Sequence, residues 1–470
     1  MAFGKDEVHP ISGKGLDVLG FGMTIVDSLD TMLLLDMHDS DTYRRARDWV
    51  RDEFNPSPPR DVSVFETTIR VLGGLLSAYA LSGDKVFLSK ATLLGQNLLL
   101  AFNTVSGLPA SVINPGVGPS KTAFVNPFNG NKCRYGDPTT LAEVGSLQLE
   151  MQYLSHATGD PRFAQQADKA MQKIIEIAGA EQLGRKSRNA RKATAQTSVN
   201  RLFATDVHPR ESRFTSDRVS MGSGGDSFYE YLLKQYLLRP YTMRDMRQTF
   251  ADTIRETLEK VRGNAQGTVF LGQATFSSSE PIKKMEHLAC FAPGMLALAY
   301  ESDPENHRQS LVDAEAIMES CMAMYATATG LAAESYDIVV GKTGPAKLVP
   351  SNTMKFSLLR PETMESAFVL WRVTGNRKYT DFGWRVFTAI EKHSRLPGKG
   401  SGYTAVADVN FRGGNPEMNR LDRLDSFFFA ETLKYLYLLF CPPCVLPLSD
   451  YVFTTEAHPL PVLERPPFSQ

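Results

Sequence analysis

Seven times along the 470-residue chain an acidic residue stands at the start of an amphipathic helical segment: Asp27, Glu66, Glu143, Asp226, Glu286, Glu362 and Asp425. Three of these segments end alike, in Leu-Ser-Gly-Asp (81–84), Ala-Thr-Gly-Asp (157–160) and Val-Thr-Gly-Asn (373–376), and a second amphipathic segment follows each. A helix–turn–helix unit repeated in this way cannot bury its apolar face alone, which points to a closed ring of helical hairpins. In such a ring the inner helices can aim their starts at one mouth. Many carboxylates would then share one pocket, which is unfavourable unless chemistry, sugar hydroxyls or a cation uses them.

Helical spacing recurs along the chain. Phe65, Ile69, Leu72, Leu76 and Tyr79 form one stripe, and 142–154, 228–238, 287–300, 364–373 and 427–440 repeat the pattern. Strand-like runs are short: 268–271, 337–340 and 403–409. Turn-rich 107–131 and polar, basic 181–217 read as long loops on one face of the ring, where binding sites are usually built. The opening GKDEVHPISGKG reads as loop, and the segment after His458 as an extended tail. No composition break divides the chain into two domains.

Hydrophobic residues make up 42% of the chain and the formal charge is −1, so there is ample apolar surface to bury and no basic face for nucleic acid. The run RKSRNARK (185–192) is a local exception that reads as a solvated loop. Five cysteines are too few for a disulfide scaffold. Cys290 and Cys321 fall on the two helices of one hairpin and are within reach of pairing. Cys441-Pro-Pro-Cys444 follows a helix rather than a strand, which suits a local disulfide or inert thiols better than redox chemistry. The longest apolar run, 435–448, is short and proline-broken, so no membrane span is expected there.

Taken singly, each acid has an ordinary structural explanation. Ser63 and Glu66 have capping-box spacing, and Glu66 and Arg70 are an i,i+4 pair. Asp226 suits an N-cap, with Ser227 and Glu230 as another capping box. Glu362 follows Pro361 and would favour the helix dipole, with Glu365 on nearly the same face. His287 is isolated, and without His-Glu-x-x-His or a cysteine–histidine cluster zinc is not expected. Gly73-Gly74 in mid-helix implies close approach of another helix. Jointly, acids at corresponding helix ends resemble the paired carboxylates of glycoside hydrolysis.

The blocks TIVDSLDTM (24–32), FETTIRVLGGLLSAY (65–79), AEVGSLQLEMQYLS (142–155), GDSFYEYLLKQYL (225–237), MEHLACFAPG (285–294), LLRPETMES (358–366), LDSFFFAETLKYLYLLF (424–440) and FTTEAHPL (453–460) carry a resemblance to the class I α-1,2-mannosidases of glycoside hydrolase family 47, over roughly residues 3–461. The resemblance implies an all-α, (α/α)7 barrel with small β-hairpins at the rim, a single domain over 1–461 and a tail over 462–470. It implies Ca²⁺-dependent, inverting removal of terminal α-1,2-mannose from high-mannose N-glycans of glycoproteins. Glu66, Asp226 and Glu362 match the catalytic carboxylates. Glu362 is the expected base, and either Glu66 (through water) or Asp226 the proton donor. Thr455 matches the Ca²⁺ ligand. Arg70, Glu143, His287, Arg360, Glu365, Phe427, Glu431 and Glu456 match sugar-contacting or water-holding positions, and Cys290–Cys321 the family disulfide.

There are departures. Gly224 stands where the endoplasmic-reticulum type has arginine, which suggests broader, Golgi-like trimming, and Asp425 replaces a glutamate. The basic 181–217 stretch is unlike the corresponding segment. The helix expected before GKDEVHPIS is not seen, so one face of the ring is expected to be less well packed. A monomer in the secretory pathway follows, with any membrane anchor outside these residues. The alternative is a catalytically weak glycan-binding homologue acting in glycoprotein degradation. An unrelated helical toroid or an open helical scaffold would fit the repeats but not the motifs.

Overall fold

The computed structural model describes residues 2–120, 137–398 and 402–464, apart from 190–200 and the side chains of 181–189, together with the backbone of 124–125 and 132–133. Among these residues seven inner helical elements form a ring. They are α1 (Met23–Leu34), α3 (Val64–Ser82), the broken pair α5 (Leu141–Gly145) and α6 (Gln148–Thr158), α8 (Asp226–Leu238), α10 (Ala292–Ser302), α12 (Glu362–Thr374) and α14 (Leu433–Phe440). Each packs on the next, and α14 with its leading turn closes on α1. Six outer helices follow their inner partners: α2 (Asp41–Asp52), α4 (Lys85–Leu98), α7 (Arg162–Asn189), α9 (Arg244–Val261), α11 (Arg308–Ala323) and α13 (Lys378–His393). This is the (α/α)7 barrel. Among the described residues no outer helix stands between α14 and α1, and Leu35 and Tyr437 are exposed there.

The repeated turn has a common cause. Gly83, Gly159 and Gly375 each end an inner helix at positive φ, a conformation that costs a side chain with Cβ. Before each glycine, the hydroxyl of Ser82, Thr158 or Thr374 donates to the carbonyl four residues back. After it, Asp84, Asp160 or Asn376 accepts the N–H two residues ahead, which starts the outer helix. Both chain ends of the turn are thus satisfied by side chains, and the hairpin reverses in a fixed geometry.

Several expectations need correction. The 142–154 helix breaks at Ser146–Leu147, because the Leu147 N–H is taken by the Gln148 side chain and Ser146 bonds Ser227. Residues 403–409 form only isolated bridges, not a strand. The opening loop is a hairpin, Glu7–His9 against Lys14–Leu16. In 181–217 the helix continues to Asn189, and beyond Arg201 the chain is built into the core through Phe203, Ala204 and Val207. Residues 190–192 of the basic run lie outside the described residues. The expected tail begins as a strand: Pro459–Pro461 pairs with Tyr451–Phe453. Helix α3 has the length and apolarity of a membrane span, which sequence reading missed, yet it is an inner, buried helix. Of its two glycines Gly74 meets another helix as expected, while Gly73 meets a loop instead. A Cβ at Gly74 would stand 2.6 Å from the Val26 carbonyl of α1, and one at Gly73 would meet His458. Cys290 and Cys321 form a disulfide between α10's leading turn and α11, and Cys441 and Cys444 are free thiols.

Candidate active site

The starts of the inner helices converge on a cavity of about 350 Å³. Five of the seven acids line it (Glu66, Glu143, Asp226, Glu362 and Asp425), joined by Glu431 and Glu456. The other two do not. Asp27 lies one turn inside α1 and faces His458 and Ser426 in the core. Glu286 is on a strand and accepts from the Ser223 N–H and Gln273. Among the substrate-site expectations, Arg70, Glu143, Arg360, Phe427, Glu431 and Glu456 line the cavity, as does Thr455, the expected metal ligand. His287 and Glu365 stand behind it.

Local structure sets each side chain. Two π-helical turns, Thr67–Leu72 in α3 and Phe428–Thr432 before α14, carry Arg70 and Glu431. Such turns re-aim side chains and favour functional sites. Ser63 Oγ accepts the Glu66 N–H, but the Glu66 carboxylate turns to Arg70 Nε at 2.9 Å, so the capping box is only half made. Arg70 also binds Glu456. Asp226 is the first helical residue after Gly225 rather than the cap, and Glu230 pairs with Lys234 instead of closing a box. Glu143 does close one, with Thr140. Leu359 holds a positive φ just before Arg360, tied by its carbonyl to Thr432, and Arg360 pairs with Glu334. The guanidinium carbons of Arg70 and Arg360 lie 5.9 and 5.4 Å from the Phe427 ring centroid, which fixes that ring as a platform in the cavity.

The carboxyls differ in what surrounds them. Burial would raise Glu362, but His287 Nδ1 at 2.8 Å and the charge of Arg360 together hold it below the ordinary glutamate value. His287 is itself fixed by Tyr325 and Thr363, each at 3.0 Å from Nε2. Among the described residues no cation stands out beside Asp226. Burial, reinforced by Glu286, Glu230 and Glu362, pushes it up to about 7, opposed by the Ser227 N–H. Burial also raises Glu66, against the pull of Arg70. Glu431 and Glu456 are pushed well up, by burial first and then by neighbouring carboxylates. Burial and Glu230 raise Glu365 to about 8 although Lys234 stands 3.4 Å away.

Sequence reading missed a layer beneath the cavity. Lys234 and Lys434 are fully buried in the middle of apolar inner helices, each held by acids: Lys234 by Glu230 and Glu365, Lys434 by Asp30. The available signal was a lysine inside YLLKQYL and ETLKYLYLL, since lysine is almost never buried unless paired.

This arrangement offers a carboxylate kept ionised, a carboxyl that keeps its proton up to about pH 7, an aromatic platform and an oxygen-rich floor. Residues 1–462 match the profile of Glycosyl hydrolase family 47. The chain belongs to this family. It is 38% identical to the mannosyl-oligosaccharide 1,2-alpha-mannosidase MNS1 of Arabidopsis thaliana, over 99% of this chain and 76% of that protein. It is 35% identical to the human endoplasmic reticulum mannosyl-oligosaccharide 1,2-alpha-mannosidase, over 98% of this chain but 61% of the human protein. Among solved structures, the family 47 chain superposes on the α-1,2-mannosidase of Trichoderma reesei with a TM-score of 0.80 at 30% identity, covering 98% and 95% of the two chains.

Calcium is the family expectation, and the donor set bears on it. Among the described residues no three His, Cys, Asp or Glu side chains converge as direct metal ligands. What the floor does present is Thr455 with Glu431 and Glu456, all oxygen donors, the two carboxyls raised by burial first and then by neighbouring acids. Oxygen-only donors, several acting through water, fit a hard cation of flexible coordination.

Proposed function

We propose that the protein is an inverting exo-α-1,2-mannosidase that trims terminal mannose from high-mannose N-glycans in the secretory pathway, with Ca²⁺ at the cavity floor. The observation that carries the mechanism is the opposite electrostatic setting of Glu362 and Asp226 in one cavity. Two titratable groups pushed apart by their surroundings take the acid and base roles.

Glu362, ionised by His287 and Arg360, accepts a proton from a water that attacks the anomeric carbon. Asp226 gives its proton to the departing glycosidic oxygen. Glu66 is bound to Arg70, which opposes its protonation, so Asp226 is read as the proton donor of the two. Attack opposite the departing bond inverts the anomeric centre, which requires acid and base carboxyls about 6.5–9.5 Å apart with room for that water. Phe427 carries the apolar face of the reacting sugar, and Arg360, Glu143 and Glu456 reach its hydroxyls. Thr455 would hold Ca²⁺ through its oxygens, with Glu431 and Glu456 holding the metal's waters. When bound, the ion supplies ligation for sugar hydroxyls and offsets the acidic field.

The test is digestion of a labelled high-mannose glycan with Ca²⁺ and with chelator, products resolved by mass. Ca²⁺-dependent loss of mannose as the β-anomer is expected. Release of the α-anomer would overturn inversion, and binding without release would overturn the enzymatic reading.

A further inference from the structure

The loop that presents Thr455 is clamped from below. Residues 454–458 join the two strands of the C-terminal hairpin and rise into the barrel. At the tip Ala457 holds φ +58, a conformation that alanine adopts only under constraint. The turn's own bonds, from the Ala457 N–H to the Thr454 carbonyl and from the His458 N–H to Thr454 Oγ, close it, and three contacts from outside anchor it. Lys434 Nζ donates to the Ala457 carbonyl at 2.8 Å. His458 is gripped between Asp30 (2.8 Å) and Asp27 (3.1 Å). The Tyr231 hydroxyl, itself donating to Glu150 at 2.7 Å, accepts the Thr455 N–H at 3.3 Å. Lys434 and His458 converge on one acceptor, Asp30 Oδ2, which also takes Ser77 Oγ at 2.9 Å. Asp30, Lys434 and His458 are fully buried and come from α1, α14 and the hairpin.

We infer that Asp30, Lys434 and His458 are positioning residues for the cation site: one buried carboxylate ties two cationic side chains to the 454–458 loop and so fixes where the Thr455 oxygens point. The inference rests on the Ca²⁺ reading above. A loop held at positive φ at Ala457 relaxes when its restraints go, and Thr455, two residues earlier, then ceases to be a preformed donor. Loss of such supporting partners typically weakens metal affinity about 10–100-fold.

The test is calorimetric titration of the full chain with Ca²⁺ alone, beside thermal melts in chelator. Asp30→Asn and Lys434→Met are each expected to weaken Ca²⁺ binding about tenfold or more. Asp313→Asn breaks a half-buried ion pair with Arg262 on the outer ring, 3.0 Å apart. It is expected to leave the affinity within about twofold, whatever its melting temperature. If Asp30→Asn fails to fold, the Asp30→Asn/Lys434→Met pair, which removes both charges, carries the same expectation. Lys434→Arg should recover part of the loss. Folded Asp30 and Lys434 variants that bind Ca²⁺ like the parent would overturn the inference. A parent that binds no Ca²⁺ would instead overturn the reading on which it rests.

Discussion

Asp226 and Glu362 each occupy the first position of an inner helix, α8 and α12, and both line one cavity. By helix position alone they are equivalent, since each carboxylate would benefit from the helix N-terminus. Their neighbourhoods differ. On the α12 side, His287 and Arg360 outweigh burial and keep Glu362 charged. On the α8 side, burial and the acids Glu286 and Glu230 outweigh the single Ser227 N–H, and Asp226 keeps its proton to about pH 7. The repeat supplies interchangeable acid positions. Chemistry arises where the surroundings break that equivalence.

The most severe way to break the comparison is Glu362→Gln. It should lower kcat by about 10²–10⁴, the usual worth of a positioned base, while mannoside affinity in calorimetry stays near that of the parent. A kcat within tenfold of the parent would remove Glu362 from the role. Removing the cause rather than the carboxylate is subtler. His287→Ala should let burial raise Glu362, so the acidic limb of the rate profile moves upward. Each tenfold weakening of Glu362 as an acid corresponds to about 1.36 kcal/mol of lost stabilisation of its charge. An unmoved limb would mean that Arg360 alone suffices.

The floor carboxyls are set by the same balance of burial and neighbouring charge. Folded-state values of Glu431 and Glu456 lie above the unfolded ones, so ionising these carboxyls opposes folding, and stability falls as pH rises through their range. A bound cation reverses that cost. Chelation should therefore lower the melting temperature more at pH 8 than at pH 5, and equal shifts would argue against a cation beside these acids. The smallest expected effect concerns the rim. Gly224 lines the cavity at φ +89 beside Thr140. Gly224→Arg should narrow the set of mannoses removed while changing the rate on an α-1,2-linked disaccharide by less than about tenfold.

The ring was legible because three hairpins repeat a turn whose glycine and Asx residue have local tasks, as at Gly83-Asp84 and Gly375-Asn376. The cavity acids were legible for the same reason: a helix start is a local feature. Asp27 and Glu286 show the limit. Both fit the sequence pattern, yet one sits a turn too deep and the other on a strand, and neither faces the cavity. The π-helical turns were not legible, because they depend on what packs against α3 and α14 rather than on propensity. Nor were the buried lysines: Lys434 meets Asp30 only after the ring has closed, and Lys234, four residues after its partner Glu230, is also met by Glu365 from another inner helix. Paired burial of such charges is a property of tertiary structure. Breaking one partner typically costs about 3–5 kcal/mol.

The claim that surroundings, not helix position, divide the roles is tested most directly by the pH dependence of kcat/KM on an α-1,2-linked mannose disaccharide at saturating Ca²⁺. The account predicts a bell. Its alkaline limb falls near pH 7 as Asp226 loses its proton, and its acidic limb lies below about 4.5, where Glu362 gains one. A rate that stays level from pH 7 to about 9, or an acidic limb above about 5, would contradict it.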